Sequence, residues 1–188
     1  MSHWDVIANG ENTGTGWGAG GISVSSIPAT YDHLFLAISG FSIADNNAWS
    51  NGHSEVRING AATNNSGTIA NYHETQSNGT QGGGGQHHTL AKCFYVAGFN
   101  YGNEQGHGWV QFPWYKEANS KRQFFGMFGR RCYYNSSNAN GRMYSFGGSF
   151  NTTTAINQIQ VMSSLGYTAT GSTNDPLGYT LYGIRETA

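Results

Sequence analysis

Seven histidines and ten carboxylates are the groups in this chain able to hold a metal or move a proton. His87 and His88 adjoin in the Gly-rich stretch "NGTQGGGGQHH", while His53, His73 and His107 stand apart. Neighbouring histidines on one loop do not easily reach the same ion, and no HExxH or paired-Cys spacing occurs. The histidines therefore read as polar loop residues, with no metal and no cofactor expected. Asp32, Glu55, Glu74 and Glu117 form the pool from which a glycan-degrading pair of carboxylates would be drawn. No GxSxG or other local nucleophile signature accompanies them. The stretch "GTGWGAGG" lacks the Lys of a phosphate-binding loop. The residue types thus point away from an enzyme and toward a surface that makes contacts.

Aromatic residues are the better lead. The five tryptophans are Trp4, Trp17, Trp49, Trp109 and Trp114. Trp4 and Trp109 lie in alternating apolar segments and are expected to pack inside. Trp17 and Trp49 lie in polar, Gly/Asn-rich stretches where no core needs them. Exposed aromatics stack on sugar faces and anchor interfaces. Trp17 and Trp49, with His53, His87 and His88, are therefore the candidate contact residues. The segment "YKEANSKRQFFGMFGRRCYY" interleaves Lys116, Lys121, Arg122, Arg130 and Arg131 with aromatics, a pattern that can bind single-stranded nucleic acid. The net charge of −1 argues against that partner. An edge or interface strand is expected instead, with solvated Lys and Arg and with Phe124, Phe125 and Phe128 in the core.

Composition agrees. Charged residues make up 10% of the chain, against roughly 25% in typical soluble proteins. With 14% aromatics and 28 glycines, the surface must be built from Asn, Ser, Thr, Gln and Gly. A surface so poor in charge suits packing against copies of itself, since buried charge is costly. No apolar run reaches membrane-spanning length, and "MSHWDVIANG" has neither the basic nor the apolar region of an export leader. Cys93 and Cys132 are expected to be unlinked thiols, in keeping with synthesis in a cytosol.

The elements that must position these residues are strands. Alternation predicts them near 3–8, 21–27, 31–43, 54–59, 68–75, 89–97, 107–115, 122–134, 142–150, 155–165 and 178–185. In 31–43, Leu34, Leu36 and Ile38 share one face, and Phe35, Ala37 and Ser39 the other. In 155–165, Ile159 and Val161 lie on the better core face. Asn59-Gly60 is a hairpin-turn signal, and 77–88 reads as a loop. The last strand, "GYTLYGI", is expected to close the core through Leu181 and Ile184, leaving 185–188 free. One all-β domain follows, an antiparallel β-sandwich of jelly-roll type spanning 1–188, with 1–20 an arm or a first strand plus loop.

Five segments in order resemble a group of tailed-bacteriophage virion proteins: "SIPATYDHLFLAIS" (26–39), "VRING" (56–60), "WVQFPWYKEANSKRQFFGMFG" (109–129), "TTAINQIQVMSSLG" (153–166) and "TGSTNDPLGYTLYGI" (170–184). The resemblance implies a structural protein of the phage particle, in the tail, a tail fibre or the capsid decoration, made in the host cytoplasm and carried on the virion. It implies a homo-oligomer, with a homotrimer favoured, contacting other virion proteins and a host-surface glycan. A carbohydrate-binding adsorption module is the rival reading, and a glycan-degrading enzyme the second. Neither nucleic acid nor membrane insertion is expected.

Overall fold

The structure is a computed structural model that describes residues 2–12, 21–43, 53–60, 69–76, 81–87, 92–95, 106–130, 142–163, 169–170 and 177–186. Side chains are described over 2–11, 21–41, 55–60, 106–129, 143–162 and 177–186. The described elements are all strands: β1 (Ser2–Asn12), β2 (Ile22–Val24), β3 (His33–Ile43), β4 (His53–Ile58), β5 (Ile69–Gln76), β6 (Gln81–His87), β7 (Lys92–Tyr95), β8 (Gly106–Phe112), β9 (Arg122–Arg130), β10 (Arg142–Phe150), β11 (Ile159–Ser163), β12 (Ala169–Thr170) and β13 (Leu177–Glu186). Among the described residues, no helix is long and apolar enough to cross a membrane.

Two sheets result, antiparallel in every described pairing. The larger runs β1-β13-β3-β8-β9-β10-β5-β6, with β12 also paired to β3, and the smaller runs β2-β11-β4-β7. Their facing sides make one core. The small sheet contributes Ile22, Val24, Val56, Ile58, Ile159 and Val161. The large sheet sends in Leu34, Leu36 and Ile38 from β3, Phe124 and Phe128 from β9, and Leu181 from β13. These residues occur at every second position because successive side chains of a strand point to opposite faces.

Two glycines let neighbours come closer than a Cβ permits. A Cβ on Gly108 would lie 2.4 Å from the Phe128 ring, and one on Gly183 would lie 2.3 Å from the Tyr31 ring. Tyr31 therefore lies flat on β13, and the Arg185 guanidinium sits 4.9 Å from the same ring's centre. Asn59 and Gly60 both have positive φ, 55° and 65°, which Asn and Gly tolerate. The hairpin expected there does not form: β4 pairs with β11 and β7, and β5 lies in the large sheet. The Asn59 side chain is also a bracket for the segment before β11. Its Nδ2 donates to the Ala155 carbonyl at 2.9 Å, and its Oδ1 accepts from the Asn157 N–H at 2.8 Å.

Several expectations need correction. The Gly-rich 81–87 is not a loop but β6, paired with β5 at the sheet's edge. Glycine backbones carry the same donor and acceptor as any other, so a ladder forms where side-chain alternation gives no sign. The strand expected over 155–165 starts only at Ile159, because 151–158 crosses between the sheets: Ile27 N–H reaches the Asn157 carbonyl, and Ile156 N–H reaches Tyr115. Ile184 is buried, but it lies outside the main cluster that holds Leu181. Trp4, Trp109 and Phe125 do not pack inside but lie on the outward face of the large sheet, where Trp4 and Phe125 are exposed. Cys93 lies on β7, whereas Cys132 falls outside the described residues.

Candidate functional site

The residues between the core positions of the large sheet point the other way, and many are aromatic. Trp4 on β1 meets Phe35 on β3 edge-on at 5.4 Å and Tyr182 on β13 at 5.7 Å. Phe35 stacks on Trp109 of β8 at 5.4 Å, with 21° between the planes. Trp109 in turn meets Phe125 of β9 edge-on at 5.9 Å. One aromatic band thus crosses five adjacent strands. Trp4, Val6, Phe125, Met127 and Met143 on this face are 39–57% exposed, so the band is open to solvent.

From β13 to β10 the rest of the face is neutral, while on β1 Glu11 takes an outward position opposite Gly178. Thr180 on β13, Ala37 and Ser39 on β3, Gln111 on β8, Gln123 on β9, and Ser145 and Ser149 on β10 occupy its outward positions. From Gly178 to Ile184 on β13 and across to β10, no outward position among the described residues holds Asp, Glu, Lys or Arg. Beside the band, Ala37, Ser39, Gly178 and Thr180 are small and leave a hollow of about 460 Å³, bounded on the β1 side by Asn9 and Glu11. The face therefore offers a ridge of rings next to a depression.

A second feature lies at the end of β8, where the chain turns toward β9. Arg122 is buried, 1% exposed, rather than solvated as expected. Its Nε donates to the Thr154 carbonyl at 2.9 Å and its Nη1 to the Trp114 carbonyl at 3.0 Å. Its Nη2 donates to the carbonyls of Glu117 and Thr153. One guanidinium therefore fixes two loops, and burial pulls its pKa below the usual arginine value. Tyr115, also buried, donates its hydroxyl to the Pro28 carbonyl, and burial raises its pKa. Trp114 between them stays out, 53% exposed, with φ at +43°.

Next to Trp114 lies a charged cluster. The Trp114 N–H donates to His33 Nδ1 at 3.2 Å, so the ring proton sits on Nε2 and is donated to Glu186 at 2.8 Å. Asp32 accepts the Glu186 N–H at 2.8 Å and pairs with Lys116 at 3.3 Å. The Glu186 N–H, helped by Lys116, holds the Asp32 carboxyl below the ordinary range. Of the other carboxylates in the hydrolase pool, Glu55 is buried and pairs with Arg57 at 2.8 Å. Glu117 lies in the loop beside Trp114, and the Glu74 side chain falls outside the described residues.

The contact residues expected from sequence are not brought together by what the structure describes. Trp17, Trp49 and His88 lie outside the described residues. His53 opens β4 opposite Tyr95, and His87 closes β6 opposite Ala70, each placed by its backbone alone. Among the described residues, no three His, Cys, Asp or Glu converge as metal ligands would. Alternation in 31–43 had already put Phe35 opposite the core, and that was the available signal for the aromatic face. No family model matches the chain, and no curated protein or solved structure matches it either.

Proposed function

We propose that this protein is a non-enzymatic structural component of a phage particle, and that it assembles with further copies of itself through the outward face of its large sheet. The observation that carries the reading is the aromatic face, uncharged from β13 to β10. Interface cores are depleted of charge and enriched in aromatic residues and Met, and Trp4, Phe35, Trp109, Phe125, Met127 and Met143 fit that description. With no charge to match from β13 to β10, the simplest complement is the same stretch of the face on a second copy. Six strands spaced about 4.8 Å apart, each about nine residues at roughly 3.3 Å per residue, span on the order of 700 Å². That is close to the roughly 800 Å² per partner of a stable interface.

Strand order supports the jelly-roll expectation. Setting aside β5, β6, β9 and β10 leaves β1-β13-β3-β8 facing β2-β11-β4-β7. The first strand pairs with the last, and the chain alternates between sheets as two nested Greek keys do. The place on the particle, tail or capsid, and the favoured trimer rest on the sequence resemblance. Light scattering at micromolar concentration tests assembly. The wild type is expected to be a closed multimer, and the Phe125→Lys, Met127→Lys double variant a folded monomer. A wild-type monomer would remove the proposal.

A further inference from the structure

We infer that the Trp114 corner is a binding site for a neutral hexopyranose, such as the exposed unit of a surface polysaccharide. Three observations on the same loop carry this. First, Trp114 has a left-handed backbone, φ +43°. Such a conformation is a real outlier for a bulky residue and persists only where the surroundings enforce it, often at binding sites. Second, the surroundings do enforce it. The Trp114 N–H is held by His33, and its carbonyl accepts from Arg122 and from the Glu117 N–H at 3.1 Å. The His33 ring supports the indole edge-on at 5.2 Å. A half-exposed indole on a fixed backbone is a rigid plate that loses little freedom when a ligand lies on it.

Third, the plate has polar company of the right kind. Trp114, Glu117, Asn119 and Ser120 line a shallow, open hollow of about 430 Å³, a form that suits one sugar ring lying flat on the indole. A pyranose has an apolar C–H face and a rim of hydroxyls. The indole covers the first. The Glu117 carboxylate can accept from two adjacent hydroxyls, the Asn119 amide can both donate and accept, and so can the Ser120 hydroxyl. Charge points to a neutral sugar. Arg122 is committed to four carbonyls and Lys116 is paired with Asp32, which leaves exposed Lys121 and Glu117 as one charge of each sign. Among the described residues, no cluster of free cations waits beside Trp114 for a phosphate or a uronate.

The site differs from the assembly face, and the inference does not depend on assembly. Its test follows the five indole N–H resonances of the full-length protein during separate titrations with glucose, galactose, mannose and N-acetylglucosamine. Trp114→Phe assigns the signal of interest. Saturable movement of the Trp114 resonance is expected for at least one sugar, with a Kd on the order of 1 mM for so small a ligand. Glu117→Gln and Asn119→Ala, both at exposed positions, are each expected to weaken it about 3- to 10-fold. Trp114→Ala is expected to abolish binding and leave the Trp4 and Trp109 signals in place. If no sugar moves the Trp114 signal, the inference fails. It fails equally if affinity is unchanged in both Glu117→Gln and Asn119→Ala, or if the sugar moves Trp109 instead. Light scattering on the same samples separates the two readings, since a monomer that binds sugar keeps this one and loses assembly.

Discussion

The two faces of the large sheet are made by the same strands from alternate residues, and both are apolar. Inside, Leu34, Leu36, Leu181 and Phe128 are sealed against a second sheet. Outside, Phe35, Tyr182, Trp109 and Phe125 form an equally continuous set of contacts, flanked by Trp4, Val6, Met127 and Met143, which are exposed. Hydrophobicity alone does not separate them. The inner face mixes Leu, Ile and Val with rings such as Phe112, Phe124, Phe128 and Tyr144, all locked against the small sheet, whereas the outer face has rings, Met and short neutral residues that stay partly exposed. The first set suits permanent burial and the second suits docking, where rings add area at little cost in rotamer freedom.

The sharpest way to test this contrast is to damage the inside. Arg122→Ala strands four carbonyls that one buried guanidinium now satisfies. A loss of at least about 3 kcal/mol is expected in denaturant melts. Leu181→Ala, in the sealed core, is expected to cost about 2–5 kcal/mol. If Leu181→Ala melts like the parent, the inner face is not the core described above.

Outer-face substitutions should behave oppositely. Phe125→Ala is expected to cost the isolated chain less than about 1 kcal/mol, while lowering the mass seen by light scattering. Unfolding by Phe125→Ala at low concentration, where only monomer is present, would erase the distinction between the faces. The smallest effect belongs to Asp32. Its carboxyl is held low, so the stability it lends is complete above its ordinary value of 3.8 and fades as pH falls through the lower folded value. Asp32→Asn should flatten that acid limb by no more than about 0.5 kcal/mol, as for other exposed pairs.

Part of the inner face could be read in advance, because alternation puts Leu34, Leu36 and Ile38 on one side of β3, and Ile159 and Val161 on one side of β11; the bulge before Phe41 and the non-strand Ile156 break that rhythm. The outer face was harder. Trp4 and Trp109 sit in strand context, and a local pattern tells which residues share a side but not which side will be covered. Arg122 reads as a surface residue because its acceptors, the carbonyls of Trp114, Glu117, Thr153 and Thr154, come from two loops that meet only after folding. Trp114 gave no sign of its left-handed backbone, since that conformation is imposed by those same contacts. β6 was hidden by glycines, which pair through their backbone and leave no side-chain rhythm.

The pairing of β1 with β13 has a mechanical consequence. Ser2 lies opposite Glu186, and the register runs inward to Asn12 opposite Leu177. Antiparallel bonds lie across the strands, so tension applied at residues 2 and 186 loads the rungs one after another, and the ladder peels at low force. Tension entering through the outer face is instead shared among β13, β3, β8 and β9 in shear. A subunit that must bear load within a larger assembly is therefore weak if held by these two strand ends and strong if held by its sheet. Single-molecule pulling along the two axes should give clearly different rupture forces.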